Sequence, residues 1–181
     1  MEHLRIRQSR LLSCRRIYLE LFKALTKMTS SNTTEAEAHR IFSAQCFNRA
    51  WDLIRKPHRT DPENEQMLLL SQASLWHWTQ RPDCTSRNLS IAHWQLSRIY
   101  ALLDQPENAL GSAGMCLRYS EATSPFFIGY AHEAMARGAA VAGDRAGKAH
   151  HLAKAAHYLA QVTSDRDSAL LRADLESLAG E

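Results

Sequence analysis

From residue 34 onward, apolar residues recur every three to four positions, the spacing that places them on one side of an α-helix. Phe47, Ala50, Trp51 and Ile54 stand at i, i+3, i+4 and i+7. Leu89, Ala92, Leu96, Ile99 and Leu103 make a second such stripe, with Ile91, Trp94, Arg98 and Ala101 on a second, roughly opposite surface. No run shows the strict alternation of a half-buried strand. Polar and proline-bearing breaks divide the pattern into about seven helices: 35–55, 61–80, 89–103, 107–121, 125–143, 146–162 and 166–178. Thr34 with Glu37 reads as a capping box for the first helix. Asp61-Pro62 reads as a cap followed by proline at the first helical position. Ser124-Pro125 opens the fifth helix, and "TSDRD" caps the last. The fold class is all-α, and the short connections imply antiparallel helical hairpins.

The hairpins repeat. "LSRIYALLDQPENALGSAGMC" (96–116) aligns with "ARGAAVAGDRAGKAHHLAKAA" (136–156) at an offset of 40, which sets Asp104 on Asp144, Ala109 on Ala149, Ala113 on Ala153 and Cys116 on Ala156. Small residues at i, i+4 and i+7 after an acidic turn resemble the second helix of tetratricopeptide repeats, and Leu96, Ser97 and Tyr100 fit the first-helix positions. The second unit departs from that pattern at Arg137 and Ala140. The resemblance covers about residues 88–160 and extends to 36–80 only through helix pairing. It implies hairpins stacked as a short right-handed superhelix whose use is binding proteins or peptides. It carries no catalytic residue.

Composition supports this and adds a boundary. The chain has 181 residues, 45% of them hydrophobic, with 7 glycines and 5 prolines, which suits one helical domain. Residues 1–27 hold seven Lys/Arg against two Glu, a net +5, so the overall +3 leaves the remainder acidic. The basic pI is thus a property of the N-terminus and does not mark the core domain as a nucleic-acid binder. "TSSNTT" (29–34) separates a basic segment, 1–34, from a repeat domain, 35–181. For residues 1–28 three readings stand: a docked amphipathic helix through Leu11, Tyr18, Phe22 and Leu25; a targeting segment; or an extension upstream of Met28. We favour a segment outside the core. Cys14, Cys46, Cys84 and Cys116 are too widely spaced for a zinc ribbon and suit a reducing, cytoplasmic setting. No apolar run is long enough to span a membrane.

Phosphate-loop, dinucleotide, zinc-protease and nucleophile-elbow motifs are absent, so neither a cofactor nor a catalytic or metal site is expected, and the chain reads as more a binder than an enzyme. The candidates for a binding groove are His77, Trp94, Arg98, Tyr130, Glu133 and Arg137. Trp94 and Arg98 share a non-core face, as a cation–π pair or a groove wall. Tyr130, Glu133 and Arg137 share a helix face, where an internal salt bridge is the plainest reading. In "SLWHWTQ" (74–80), Trp76 and Trp78 diverge by about 200° on a helix, which argues for two core side chains on a helix buried on several sides. His77 reads as a hydrogen-bonded core histidine or a groove residue. His150 and His157 read as solvated. The expected partner is a protein or peptide, with association between copies also allowed; the alternative is a small helical enzyme or ligand-binding protein built on a His77–Glu133 pocket.

Overall fold

A computed structural model describes residues 34–180, and the alternatives for residues 1–28, like Cys14, lie outside that range. The described residues form seven helices and no strand: α1 (Glu35–Ile54), α2 (Asp61–Thr79), α3 (Ser86–Leu102), α4 (Pro106–Ser120), α5 (Pro125–Val141), α6 (Arg145–Leu159) and α7 (Asp165–Ala179). The all-α expectation and the count of helices agree with this, and none of the helices is long and apolar enough to cross a membrane.

Local chemistry explains the boundaries. Thr60, not Asp61, caps α2: its backbone N–H donates to the Glu63 carboxylate at 2.9 Å, which moves Pro62 to the second helical position. Helix α3 begins three residues earlier than its apolar stripe indicates. Thr85 and Asn88 cap each other reciprocally there, with the Thr85 N–H donating to Asn88 Oδ1 at 3.0 Å. An asparagine in the place of the usual Glu or Gln hides this box from a pattern search. Asp144 accepts from the Gly147 N–H at 2.9 Å to start α6, and Ser164 from Asp167 to start α7.

Helices α1 and α2, α3 and α4, and α5 and α6 pack most extensively on each other, and α7 closes against α5 and α6. Helix α3 also packs on α5. Ala50, Met67 and Ile99 centre one buried cluster across α1, α2 and α3; Ala155, Leu171 and Leu175 centre another across α6 and α7. Ala92, Leu96 and Ile99 of the α3 stripe are buried as expected. Between the clusters, small and hydroxylated residues allow close approach. Ser97 donates to the Ala109 carbonyl at 2.9 Å, and a β-carbon on Gly138 would stand 2.9 Å from Leu110.

The helix pair Ser86–Leu102 and Pro106–Ser120 recurs residue for residue as Pro125–Val141 and Arg145–Leu159, an offset of 39. The turns match at this offset: Asp104 (φ 55°) and Gly143 (φ 72°) are both left-handed. Gln105 N–H bonds to the Tyr100 carbonyl at 2.9 Å, as Asp144 N–H does to that of Ala139. The 40-residue alignment is therefore one residue out. It matched aspartate to aspartate, whereas the backbone requires a residue that tolerates positive φ, a place glycine fills freely and aspartate acceptably. Ala113 is buried as the alignment expects, but Ala149, Ala153 and Ala156 are exposed, and the counterpart of buried Cys116 is buried Ala155. In the corrected register His93 stacks on Tyr119 (5.6 Å between centroids) and His132 on Tyr158 (5.7 Å).

Candidate functional site

Five of the six groove candidates meet in one place. Glu133 of α5 is the hub and is 0% exposed. Its Oε2 accepts the indole N–H of Trp94 from α3 at 2.8 Å, and its Oε1 accepts Arg137 Nε, one turn further along α5, at 2.9 Å. The anticipated internal salt bridge is thus formed. Arg98 of α3 stands 4.0 Å from Glu133 and donates both terminal nitrogens to Asp174 Oδ1 of α7, at 3.1 and 3.2 Å. The Tyr130 hydroxyl donates to the other Asp174 oxygen at 3.1 Å. Burial, then the Asp174 charge, raises the Tyr130 phenol well above its ordinary range, so it stays a neutral donor.

Aromatic faces continue the cluster. The Trp94 ring lies 5.5 Å from that of Trp51 on α1 and 5.0 Å, edge to face, from Tyr130. The Arg98 guanidinium is 5.8 Å from the Trp51 centroid and 5.7 Å from that of Trp94. Both readings of the Trp94–Arg98 face, cation–π contact and groove wall, share this geometry. Every member comes from an odd-numbered helix. Two arginines and two carboxylates balance in charge. Glu133 is sealed, whereas the Arg98 and Asp174 side chains remain 20% and 25% exposed.

Sequence reasoning missed Trp51 and Asp174. Trp51 was assigned to the apolar face of α1, which it shares with Phe47. Asp174 was legible as an acid set among the buried leucines Leu171, Leu175 and Leu178, a position that calls for a buried partner.

His77 does not join this cluster. Its Nδ1 lies 2.9 Å from that of His39 on α1, and its ring packs near Phe42 and Trp76. Burial, then the His39 charge, lowers its pKa. It shares no partner with Glu133, so the pocket pairing these two residues is not formed. Among the described residues no group of three metal-ligating side chains converges. The tryptophans flanking His77 also differ from expectation. Trp76 is 55% exposed and Leu69, on the same stripe, 57%. Only α1 and α3 pack extensively on α2 among the described helices; the Trp76 ring meets His39 of α1 edge on at 5.2 Å, and the rest of its surface is uncovered. Trp78 is half-buried, with the Arg81 guanidinium 3.8 Å above its ring and Arg81 also donating to Ser43 and Asp83. His150 and His157 are exposed, as expected.

Beside the cluster, a cavity of about 240 Å³ opens between Ile91, Trp94, Cys116, Phe126, Phe127 and Tyr130. Burial raises the pKa of the Cys116 thiol to about 11, which keeps it protonated and unreactive. A smaller depression, about 150 Å³, lies on the other side of Ile91 against Ala44, Phe47 and Trp78. No protein-family model, no curated protein and no solved structure matches the chain.

Proposed function

We propose that the chain is a non-enzymatic helical-repeat module that binds a protein or peptide across its odd-numbered helices, in the manner that a tetratricopeptide-like array implies. One observation carries this reading: α1, α3, α5 and α7 jointly build a strip of partly buried aromatic and charged side chains, Trp51, Trp94, Arg98, Tyr130 and Asp174, held in place by the buried Glu133. Tryptophan, tyrosine and arginine are the residue types most enriched among interface anchors. A preformed network lowers the entropy lost on binding. The balanced charges and the unreactive thiol speak against acid–base or nucleophilic chemistry at this place. The free thiols of Cys46, Cys84 and Cys116 support a reducing, cytoplasmic setting.

The test is affinity capture from the native host with wild type and an Arg98→Ala variant shown by circular dichroism to be folded. A partner enriched by wild type and lost with Arg98→Ala supports the reading. Identical capture by both removes the strip from any interface.

A further inference from the structure

Among the described residues, four of the large apolar side chains left exposed, Ile41, Phe42, Leu69 and Trp76, stand on the hairpin of α1 and α2. Three of them form one patch. Leu69 and Trp76 lie two turns apart on α2, and Phe42 packs beside His77, whose ring meets that of Trp76 at 4.8 Å.

Helix α2 carries two seams. Met67, Ser71, Ser74 and Trp78, spaced four, three and four residues apart, face inward, and the first three are buried. Leu69, Gln72, Trp76 and Thr79, spaced three, four and three, lie on the roughly opposite side and are all exposed. Spacings that alternate between three and four make the stripe along which one helix packs on another. The inner seam is taken up by α1 and α3, and no described helix packs extensively over the outer one.

Charge sets this face apart from an ordinary solvated one. Residues 66–80 contain no Asp, Glu, Lys or Arg, whereas exposed positions of α6 and α7 carry Lys154, Arg166, Arg172 and Glu176. Loss of charge around exposed aromatic side chains is the composition of an interface centre. The face offers no charge by which a different protein would be steered or selected, and it is its own complement. Leu69 and Trp76 stand symmetrically about Gln72 and Ala73. A two-fold axis there sets Leu69 of each copy on Trp76 of the other, the reciprocal contact of an isologous pair. Gln72 donates one amide hydrogen to the Tyr100 hydroxyl at 3.2 Å. Its carbonyl and second N–H remain to bond reciprocally with the Gln72 amide of the second copy.

We infer that the outer face of α2 is a homodimer interface, in which α2 packs antiparallel on α2 of a second copy about a two-fold axis at Gln72. Helix α2 contributes no residue to the strip of odd-numbered helices, so the dimer stands whether or not that strip binds a partner. Trp76, Leu69 and Phe42 are 55%, 57% and 45% exposed, which leaves roughly 300 Å² of apolar side chain open on each copy. With Gln66, Gln72, Thr79 and Gln80 around them, two copies reach about the 1,000 Å² at which a specific interface begins. A contact at this lower bound is a weak one, so the dimer should dissociate on dilution.

Sedimentation velocity of the full chain over a wide range of concentration tests this. The expected result is a monomer–dimer equilibrium with no larger species. Trp76→Glu and Leu69→Glu, at exposed positions and shown by circular dichroism to be folded, should each raise the dissociation constant at least about tenfold. Leu170→Glu, on the charged exposed face of α7, should leave it unchanged. Gln72→Cys should form an intermolecular disulfide on mild oxidation faster than the wild type does with its own cysteines, and adding Trp76→Glu should abolish the gain. A monomer at every concentration, a dimer indifferent to both Trp76→Glu and Leu69→Glu, or open-ended oligomers in place of a dimer would each overturn the inference. A monomer that captures a different protein through Trp76 would overturn it too, and would assign the face to that protein.

Discussion

Replacing Glu133 by alanine removes the hub of the network. Glu133 is 0% exposed and satisfies one indole N–H and one guanidinium directly, with a second guanidinium at 4.0 Å. Removing one partner of a buried ion pair typically costs about 3–5 kcal/mol, because the remaining charge stays desolvated. Here the arginine side chains are 12% and 20% exposed and recover part of their hydration by small rotations. The Trp94 N–H recovers less and loses its acceptor at a cost of about 1–3 kcal/mol. These contributions overlap, and we expect about 3 kcal/mol in all, at the low end of the ion-pair range. For a domain of this size that lowers Tm by about 6–12 °C.

Urea unfolding followed by far-UV circular dichroism and tryptophan fluorescence measures the change. Trp94 also reports locally, since its environment changes in the folded state. Arg98→Ala is the contrast: its pair with Asp174 is partly solvated, so its loss should cost less than that of the sealed Glu133. The double variant Glu133→Ala/Arg137→Ala should cost less than the sum of the single ones, because each removes the same contact. A Glu133→Ala loss below about 1 kcal/mol, or costs for Glu133 and Arg98 in the reverse order, would refute the assignment of Glu133 as the sealed hub.

Ala113→Leu, at a fully buried position, should cost about 1–3 kcal/mol by overpacking, whereas the exposed Ala153→Leu should be nearly neutral; equal losses in urea melts would restore the 40-residue register. Trp76→Ala should cost less than about 1 kcal/mol, far short of the roughly 3–5 kcal/mol of a buried tryptophan, and a larger loss in urea would place Trp76 in the core. Burial, with the His151, Lys154 and His150 charges, lowers the His132 pKa from 6.5 to about 4. Above 6.5 neither state takes up this proton. Below it the unfolded chain does and the native one refuses, so stability falls from pH 6.5 down to about 4, by at most about 1.4 kcal/mol per pH unit for this group. Urea midpoints of His132→Gln should fall less steeply over that window; parallel profiles would mean that His132 titrates freely in the fold. Deleting residues 1–28 should leave a cooperative thermal melt, and loss of cooperativity would assign Leu11, Tyr18 and Phe22 to the core.

Helix existence was legible because each helix carries an apolar face three to four residues in period and a polar break at each end. Boundaries failed where capping was unusual, as at Thr85 with Asn88, or where two residues competed for the cap, as at Thr60 and Asp61. The Trp94, Arg98, Tyr130, Glu133 and Arg137 group was legible because each stands off its helix's core stripe, which leaves a polar or amphipathic residue in need of a partner. Its connectivity was not legible. Periodicity describes one helix at a time, and the hydrogen bonds from Trp94 to Glu133 and from Arg98 to Asp174 depend on which helices become neighbours. The choice between the two readings of His77 was not legible for the same reason: its partner, His39, stands 38 residues earlier, on α1. Trp76 failed differently. Hydrophobicity all round a helix predicts burial on all sides only when a neighbour exists for each side.

The corrected 39-residue register accounts for why the strip forms where it does. His93 and His132, Tyr119 and Tyr158, and Arg98 and Arg137 are equivalent pairs, and the two histidine–tyrosine stacks are repeated framework contacts. Trp94 and Glu133 are also equivalent positions, yet they differ in chemistry and bond to each other across α3 and α5. Identical residues there would set two indoles, or two carboxylates, face to face with no donor matched to an acceptor. The repeated arginines create a complementary demand, because two like charges on adjacent helices need anions to be held near a buried surface. Glu133 answers it within the repeat, and Asp174 answers it from α7, which closes the array and has no helix of the same kind beyond it among the described residues. The strip is thus the place where the two units depart from each other.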